Sequence, residues 1–163
     1  MTDPSEPAVF LRDVTEADLE IFFEQQLDAK ANEMAAFPPR DRRAHMDHWH
    51  KIMADPALVA KTIMFGDRVA GNVGSWQHNG EQEVGYWIGR PYWGRGIATS
   101  ALSQFVSLVV RTRPLHAYVA KNNAGSIRVL EKCGFKRAHT IEDNGVVYLI
   151  MVLEDRSSLE VEP

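Results

Sequence analysis

The sequence predicts an α+β domain, in which a mixed, mostly antiparallel sheet of seven strands carries about four helices in layers. Three observations lead to this prediction. Short β-rich runs recur between turn residues, apolar residues at helical spacing interrupt them, and one long amphipathic helix joins two of the runs. Because a helical crossover links parallel strands, we expect the fourth and fifth strands to run parallel.

The first third of the chain predicts one strand followed by two helices. Val9 to Val14 is the strand, and Thr15 is a helix N-cap followed by an acidic first turn. Asp41 caps the second helix, which ends near Asp55. Phe37-Pro38-Pro39 excludes helical structure between the two.

The middle of the chain predicts three strands in an antiparallel meander. The runs Leu58 to Phe65, Val69 to Trp76 and Glu83 to Ile88 are rich in strand-forming residues. Gly66-Asp67 and His78-Asn79-Gly80 separate them as turns. Strands joined in this way pair with their neighbours in sequence order.

The last part of the chain predicts two helices and three strands. A helix with a broad apolar face runs from Gly96 to Arg113 and is stopped by Pro114. The elements that follow are a strand at Leu115 to Ala120, a helix at Ala124 to Lys132, and a hairpin of Phe135 to Ile141 with Val146 to Leu153.

Composition favours one globular domain, residues 1–155, followed by a polar, disordered tail at 156–163. The net charge of -4 comes from 18 Lys and Arg against 22 Asp and Glu with no basic block, which argues against a nucleic-acid partner. The single cysteine, Cys133, excludes an internal disulfide and is interpreted as an inert packed thiol. No signal peptide or membrane-spanning run is recognisable. We therefore expect a cytoplasmic protein.

The segment from Tyr86 to Ala98 is the most informative motif. It is typical of a strand, a loop, a Gly94-Arg95-Gly96 turn and a helix start. Glycines at such a point allow backbone N–H groups to converge on the positive end of the helix, which suits a pyrophosphate. A dinucleotide fingerprint would need a third glycine where Thr99 stands, and a P-loop would need Lys and Ser or Thr where Ile97-Ala98 stands. The turn therefore predicts another phosphate-bearing cofactor.

Three motifs in this order resemble the GNAT N-acetyltransferase superfamily. They are Glu83-Val84-Gly85-Tyr86-Trp87, then Trp93-Gly94-Arg95-Gly96-Ile97-Ala98, then Asn123-Ala124-Gly125-Ser126 followed by Glu131-Lys132-Cys133-Gly134-Phe135. The resemblance spans Phe10 to Leu153. Within the superfamily, the motifs most resemble the RimJ/RimL-type branch of ribosomal-protein N-terminal acetyltransferases. It implies the GNAT fold, with the fourth and fifth strands splayed around acetyl-CoA.

The resemblance also implies where acetyl-CoA binds. The pantetheine arm would pair with the backbone of Tyr86, Trp87 and Ile88, because its two amides can hydrogen-bond like an added strand. Asn123 would touch the cofactor as well. The pyrophosphate would rest on the turn that follows Trp93, on the N–H groups of Gly94, Arg95, Gly96, Ile97, Ala98 and Thr99.

Acetyl transfer to an amine needs a base for the amine's proton and an acid for the departing thiolate. Glu83 is the candidate base, and a solvent-facing strand glutamate is the alternative interpretation. Ser126 is the candidate acid beside the cofactor, and a helix-capping serine is the alternative. Many members of the superfamily supply the acid as a tyrosine at the position where this chain has Leu130.

Other conspicuous side chains favour structural roles. His45, His48 and His50 cannot converge on one ion at helical spacing, so no metal site is predicted and the three are read as helix surface or the edge of the acceptor pocket. Trp76 and Trp87 are interpreted as core residues, with an aromatic wall of the acceptor site as the alternative.

The acceptor is expected to be a primary amine, and the branch resemblance favours a peptide or protein N-terminus. A small-molecule amine (polyamine, antibiotic or amino acid) and a catalytically silent acyl-CoA-binding module are the alternatives. We expect the acceptor to enter between Ala31 to Asp41 and the last hairpin, because loops on a rigid scaffold commonly set specificity. The chain is expected to be a monomer or a homodimer.

Overall fold

The computed structural model describes residues 6–155, so the tail predicted at 156–163 lies outside the described residues. One seven-stranded sheet has the order β1-β2-β3-β4-β5-β7-β6. The strands are β1 Val9–Asp13, β2 Val59–Phe65, β3 Arg68–His78, β4 Glu81–Ile88, β5 Leu115–Ala120, β6 Lys136–Asp143 and β7 Val146–Leu153. Neighbouring strands are antiparallel except β4 and β5, which are parallel. The predicted α+β fold is therefore confirmed.

Five α-helices occur in the described part of the chain, where the sequence predicted about four. They are α1 Glu16–Gln26, α2 Ala29–Ala35, α3 Arg42–Ala54, α4 Ile97–Gln104 and α5 Ala124–Lys132. The additional helix is α2, which Asp28 caps by accepting the N–H of Lys30 at 2.9 Å. Its seven residues are too few to show helical periodicity in the sequence. No helix within residues 6–155 has the length and apolar character needed to cross a bilayer.

The predicted helix end at Arg113 was wrong by about one turn. Helix α4 continues as a wider, π-helical turn over Phe105–Val109, and the backbone of Val110 is extended. The Val110 N–H donates to the Phe105 carbonyl at 2.9 Å, and both side chains are buried in the core. The wider turn thus ends the helix with Phe105 and Val110 in the core, whereas Leu108 is exposed.

The helices divide between the two faces of the sheet. Helices α4 and α5 pack on one face in the larger hydrophobic cluster, and α1 and α3 form a smaller cluster on the other. On β4, Val84 and Ile88 belong to the larger cluster and Tyr86 packs against it. Because side chains alternate along a strand, Glu83 and Trp87 point to the opposite face.

The turn between β3 and β4 is tighter than predicted. Asn79 and Gly80 have φ of 51° and 79°, as a two-residue hairpin turn requires. The strands therefore extend to His78 and begin at Glu81, which lie opposite each other. This register brings His78 within one diagonal step of Glu83.

Candidate active site

Strand β4 is paired along its full length on one edge only. Strand β3 pairs with it from Glu81 to Ile88, whereas the parallel β5 pairs only with Gln82 and Glu83. Beyond Glu83 the parallel strands splay, so the edge of β4 from Val84 to Ile88 has no β5 partner. An extended ligand with amide groups can bind such an edge as an added strand.

The glycine turn closes one end of this gap. Gly94 and Gly96 have φ of +73° and +76°, and a Cβ built on either would meet no other atom within 4 Å. Gly96 is the N-cap of α4, so the unpaired N–H groups of the first helical turn lie beside it. These N–H groups and the positive end of the helix suit a pyrophosphate.

Trp93 and Arg95 support the turn in different ways. The Trp93 indole N–H donates to the Ile88 carbonyl at 2.8 Å and so holds the turn against the end of β4. The Arg95 guanidinium lies 4.8 Å from the centre of the Phe65 ring, and Arg95 does not line the cavity. Only its backbone remains for the predicted cofactor contact.

A cavity of about 470 Å³ lies beside β4, the glycine turn and α5. Every predicted cofactor-binding residue except Arg95 lines it, together with Met34 of α2. Helix α5 adds Arg128 and Lys132, which were not predicted from the sequence. These two exposed cations are one helical turn apart, and the spacing of the basic pair was the available signal. Cations at the rim suit the phosphates of a nucleotide cofactor.

Asn123 and Ser126 have separate roles at the start of α5. The Asn123 side-chain oxygen accepts the Ser126 N–H at 3.2 Å, so Asn123 is the residue that caps the helix. The Ser126 hydroxyl instead lies 2.8 Å from the hydroxyl of Tyr86. Both residues line the cavity, and the serine hydroxyl is therefore joined to β4 within it.

Tyr86 brings a phenol to the cavity wall, whereas the sequence predicted a role only for its backbone. Burial raises the pKa of Tyr86 to about 12, although the hydrogen bond with Ser126 lowers it in part. The phenol therefore stays protonated at neutral pH and can donate a hydrogen bond. Leu130, where the resemblance expects a tyrosine, is 3% exposed in the hydrophobic core.

Glu83 is 6% exposed, so it is not a solvent-facing strand residue. Its Oε2 lies 2.8 Å from His78 Nδ1, within hydrogen-bond distance. The imidazole of His78 packs edge-on against the Tyr118 ring, with centroids 6.4 Å apart. Burial, then the charges of Glu83 and Glu81, raise the pKa of Tyr118. The face of the sheet opposite α4 therefore carries a polar cluster.

Trp76 was predicted to be a core residue, and this prediction was wrong. It is 37% exposed, and its ring covers Gly85 so closely that a Cβ there would come within 2.8 Å. It lies opposite Glu83 in the sheet and thus on the same face. Trp87 is half-buried, and its indole N–H donates to the Gln25 carbonyl at 3.2 Å.

Other reactive side chains have structural partners. His45 is buried, contrary to the expected surface position, with Nε2 2.9 Å from the Leu19 carbonyl. His50 Nε2 instead pairs with exposed Glu16 at 2.8 Å. Within residues 6–155, no group of three or more His, Cys, Asp or Glu is arranged to hold a metal ion. Burial raises the pKa of the Cys133 thiol, as expected of an inert cysteine.

A second cavity of about 620 Å³ adjoins the first at Met34. It lies between α2, the end of β5 and the turn of the β6–β7 hairpin. Its charged lining residues are Lys30, Glu33 and Lys121. This is the rim at which the sequence predicts the entry of the acceptor.

The fold and the cavity define a class of protein that can hold an extended, phosphate-bearing cofactor between two splayed parallel strands. The chain belongs to the acetyltransferase (GNAT) domain family, whose model matches residues 8–136. The superfamily expected from the motifs is therefore confirmed, and the RimJ/RimL-type branch stays a prediction.

The chain is also similar to individual acetyltransferases. The chain is 31% identical over 70 residues to the uncharacterized N-acetyltransferase p20 of Bacillus licheniformis, and the match covers 41% of the chain and 39% of that protein. The aminoglycoside acetyltransferase AAC(6')-Ib, solved with coenzyme A, has a TM-score of 0.77 at 19% identity over 94% of this chain and 98% of its own. Spermidine N-acetyltransferase from Vibrio cholerae, solved with coenzyme A and spermine, has a TM-score of 0.78 at 16% identity over 93% and 98%. At these identities the two structures show a shared fold.

Proposed function

We propose that the protein is an acetyl-CoA-dependent N-acetyltransferase that moves the acetyl group directly to the N-terminal amine of a peptide or protein. The observation that carries this proposal is the open edge of β4, which β5 leaves unpaired beyond Glu83 and which borders a cavity ending on the glycine turn. Pantetheine pairs with the backbone of residues 86–88, and the pyrophosphate binds the N–H groups of residues 94–99. Arg128 and Lys132 lie where they can neutralise phosphate charge.

The two ends of proton transfer lie on opposite faces of β4. The amine nitrogen attacks the thioester carbonyl carbon, the C–S bond breaks, and the electron pair goes to the sulfur. Ser126, hydrogen-bonded to Tyr86, protonates the departing thiolate from the α4 side. Glu83, on the opposite face, provides the general-base assistance that removes the proton of the amine.

The charge of the second cavity favours a peptide over a polyamine. Its two lysines outnumber its one carboxylate, so it repels a molecule with several ammonium groups. A peptide brings a single ammonium, and its pKa near 7.7–8.0 leaves far more free amine at neutral pH than a lysine near 10.4. The RimJ/RimL-type motifs support the same acceptor.

An acceptor panel tests the proposal. The protein is incubated with acetyl-CoA and a set of short peptides, spermidine, an aminoglycoside or a free amino acid, and the released CoA thiol is measured. We expect turnover with free N-termini and none with the same peptides acetylated beforehand. Turnover with the polyamine or the aminoglycoside alone would replace the peptide acceptor with a small molecule. Tight binding of acetyl-CoA without turnover of any amine would favour a silent binding module.

A further inference from the structure

We propose that His78 is the catalytic base and Glu83 its positioning residue, in a dyad in which His78 Nε2 receives the proton of the acceptor amine. Glu83 then orients the imidazole and stabilises its charged form. This inference rests on the proposed acetyl transfer to an amine, and it assigns the proton-accepting atom of that reaction.

The exposure of the two side chains supports this division of roles. The Glu83 side chain is 7% exposed, whereas the His78 side chain is 53% exposed. An incoming amine therefore reaches the imidazole more easily than the carboxylate. An imidazole also gains and loses protons near neutral pH, whereas an ordinary carboxylate is a much weaker base.

The hydrogen bond between them determines which nitrogen is free. His78 Nδ1 lies 2.8 Å from Glu83 Oε2, and an ionised carboxylate can only accept. Nδ1 therefore carries the hydrogen, and Nε2 presents its lone pair. A buried carboxylate on Nδ1 with a free Nε2 is the arrangement by which hydrolases hold a histidine base.

The register of the hairpin creates this pair. His78 lies opposite Glu81, and Trp76 lies opposite Glu83, so all four side chains project from the face away from Tyr86. His78 and Glu83 thus lie on one face of the sheet, and the Tyr86–Ser126 hydroxyl pair lies on the other. Glu83 is the last residue of β4 that pairs with β5 before the two strands diverge.

The surrounding charges favour a transient imidazolium. Glu83 bonds His78 and Glu81 lies opposite it on β4, while the Tyr118 ring of β5 packs against the imidazole. His116 Nε2 is 3.7 Å from Glu81, and its buried Nδ1 has no hydrogen-bond partner among residues 6–155. The carboxylates of this cluster stabilise a positive ring at His78.

The proton is accounted for at each step. As the nitrogen attacks, its N–H proton passes to His78 Nε2, directly or through one water. The imidazolium is stabilised by the Glu83 carboxylate and then releases the Nε2 proton to solvent. The neutral ring is left with its hydrogen on Nδ1, ready for the next turnover.

The variant His78→Asn tests the dyad. Its side-chain amide can still donate a hydrogen bond to Glu83 but cannot accept the proton of the amine. We expect kcat to fall roughly 10²-fold or more in His78→Asn and in Glu83→Gln, with the affinity for acetyl-CoA unchanged. Because the two residues act as a unit, the double variant should be no slower than the worse single variant. The acid limb of the pH profile of kcat/KM should also change in His78→Asn.

His50→Asn is the matched control, because His50 forms a bond of the same length to Glu16 outside the site. It should keep the wild-type kcat and pH profile. If His78→Asn also keeps both, the dyad is wrong while the proposed function stands. Absence of transfer to every amine by the wild type overturns both.

A second variant, His78→Ala, tests the dyad independently in case His78→Asn fails to fold. In His78→Ala, added imidazole should restore part of kcat by occupying the vacated space. A folded His78→Ala protein with wild-type kcat would contradict the proposal.

Discussion

The hydroxyl oxygens of Tyr86 and Ser126 lie 2.8 Å apart and join β4 to the first turn of α5 across 40 residues of sequence. Burial raises the pKa of the phenol to about 12, so the pair keeps its protons at neutral pH. The pair lies on the wall of the cavity beside β4, whereas Leu130 offers no acidic hydrogen. We propose that these two hydroxyls protonate the departing thiolate.

Removal of the Ser126 hydroxyl should slow the chemical step. Because general acid catalysis is typically worth roughly 10²–10⁴-fold, Ser126→Ala and Tyr86→Phe should each lower kcat far more than the affinity for acetyl-CoA. Steady-state kinetics and calorimetry measure the two quantities. Ser100→Ala is the control, because Ser100 accepts a bond from Gln104 on α4 and does not line the cavity. If Ser126→Ala keeps more than about half of the wild-type kcat, the acid role is wrong.

A negative charge at the glycine turn should abolish cofactor binding. Gly96→Glu places a carboxylate where the pyrophosphate is proposed to bind, and like charges brought together cost several kcal/mol, or about 10²-fold in affinity. Titration calorimetry with acetyl-CoA measures the loss.

Two further glycine variants separate charge from backbone strain. Gly96→Ala carries the strain of φ +76° without the charge, and Gly80→Glu carries both at φ +79° but outside the cavity. Both should bind acetyl-CoA better than Gly96→Glu. Equal affinity of all three variants for acetyl-CoA would show that the pyrophosphate does not bind at this turn.

Charge reversal in the second cavity should change the choice of acceptor. Lys30→Glu with Lys121→Glu leaves only carboxylates among its charged residues, which attracts polycations. We expect kcat/KM for spermidine to rise relative to that for a peptide, and the gain to shrink at high salt. Lys51→Glu, on α3 and outside both cavities, is the control. An unchanged ratio would mean that acceptors do not use this cavity.

The carboxylate of Asp18 should make stability depend on pH in the acid range. It accepts hydrogen bonds from Arg12 at 2.7 and 2.8 Å, from the Thr15 N–H at 2.9 Å and from the Thr62 hydroxyl at 2.7 Å. Burial alone would raise its pKa, but these donors outweigh burial and lower the pKa from 3.8 to about 2. The ionised form therefore contributes about 2 kcal/mol above pH 4, which is lost as the pH falls from about 4 to about 2.

Urea unfolding of Asp18→Asn between pH 7 and pH 2 checks this expectation. The variant should be less stable by about 2 kcal/mol at pH 7, and the difference should narrow towards pH 2. Asp13→Asn removes the ion pair of an exposed carboxylate with Lys61 and should have little effect. A difference that stays constant with pH would contradict the role of the charge.

The sequence by itself determined the succession of the strands along the chain, the parallel β4 and β5, and the glycine turn at the start of α4. Each of these follows from local patterns: alternation within a strand, glycines that adopt φ of +73° and +76°, and a helical crossover between two strands. Most of the cavity-lining residues could be predicted for the same reason, because they lie on consecutive positions of that strand, turn and helix.

The tertiary structure alone decided which side chains meet. Glu83 is buried and bonded to His78 because a two-residue turn sets the register of β3 and β4, and Tyr86 reaches Ser126 because α5 packs on the same face as α4. The end of α4 near Val109 likewise depends on how its apolar residues fit the sheet. Local pattern carries no information about contacts between distant residues, since these depend on the packing of whole elements against one another.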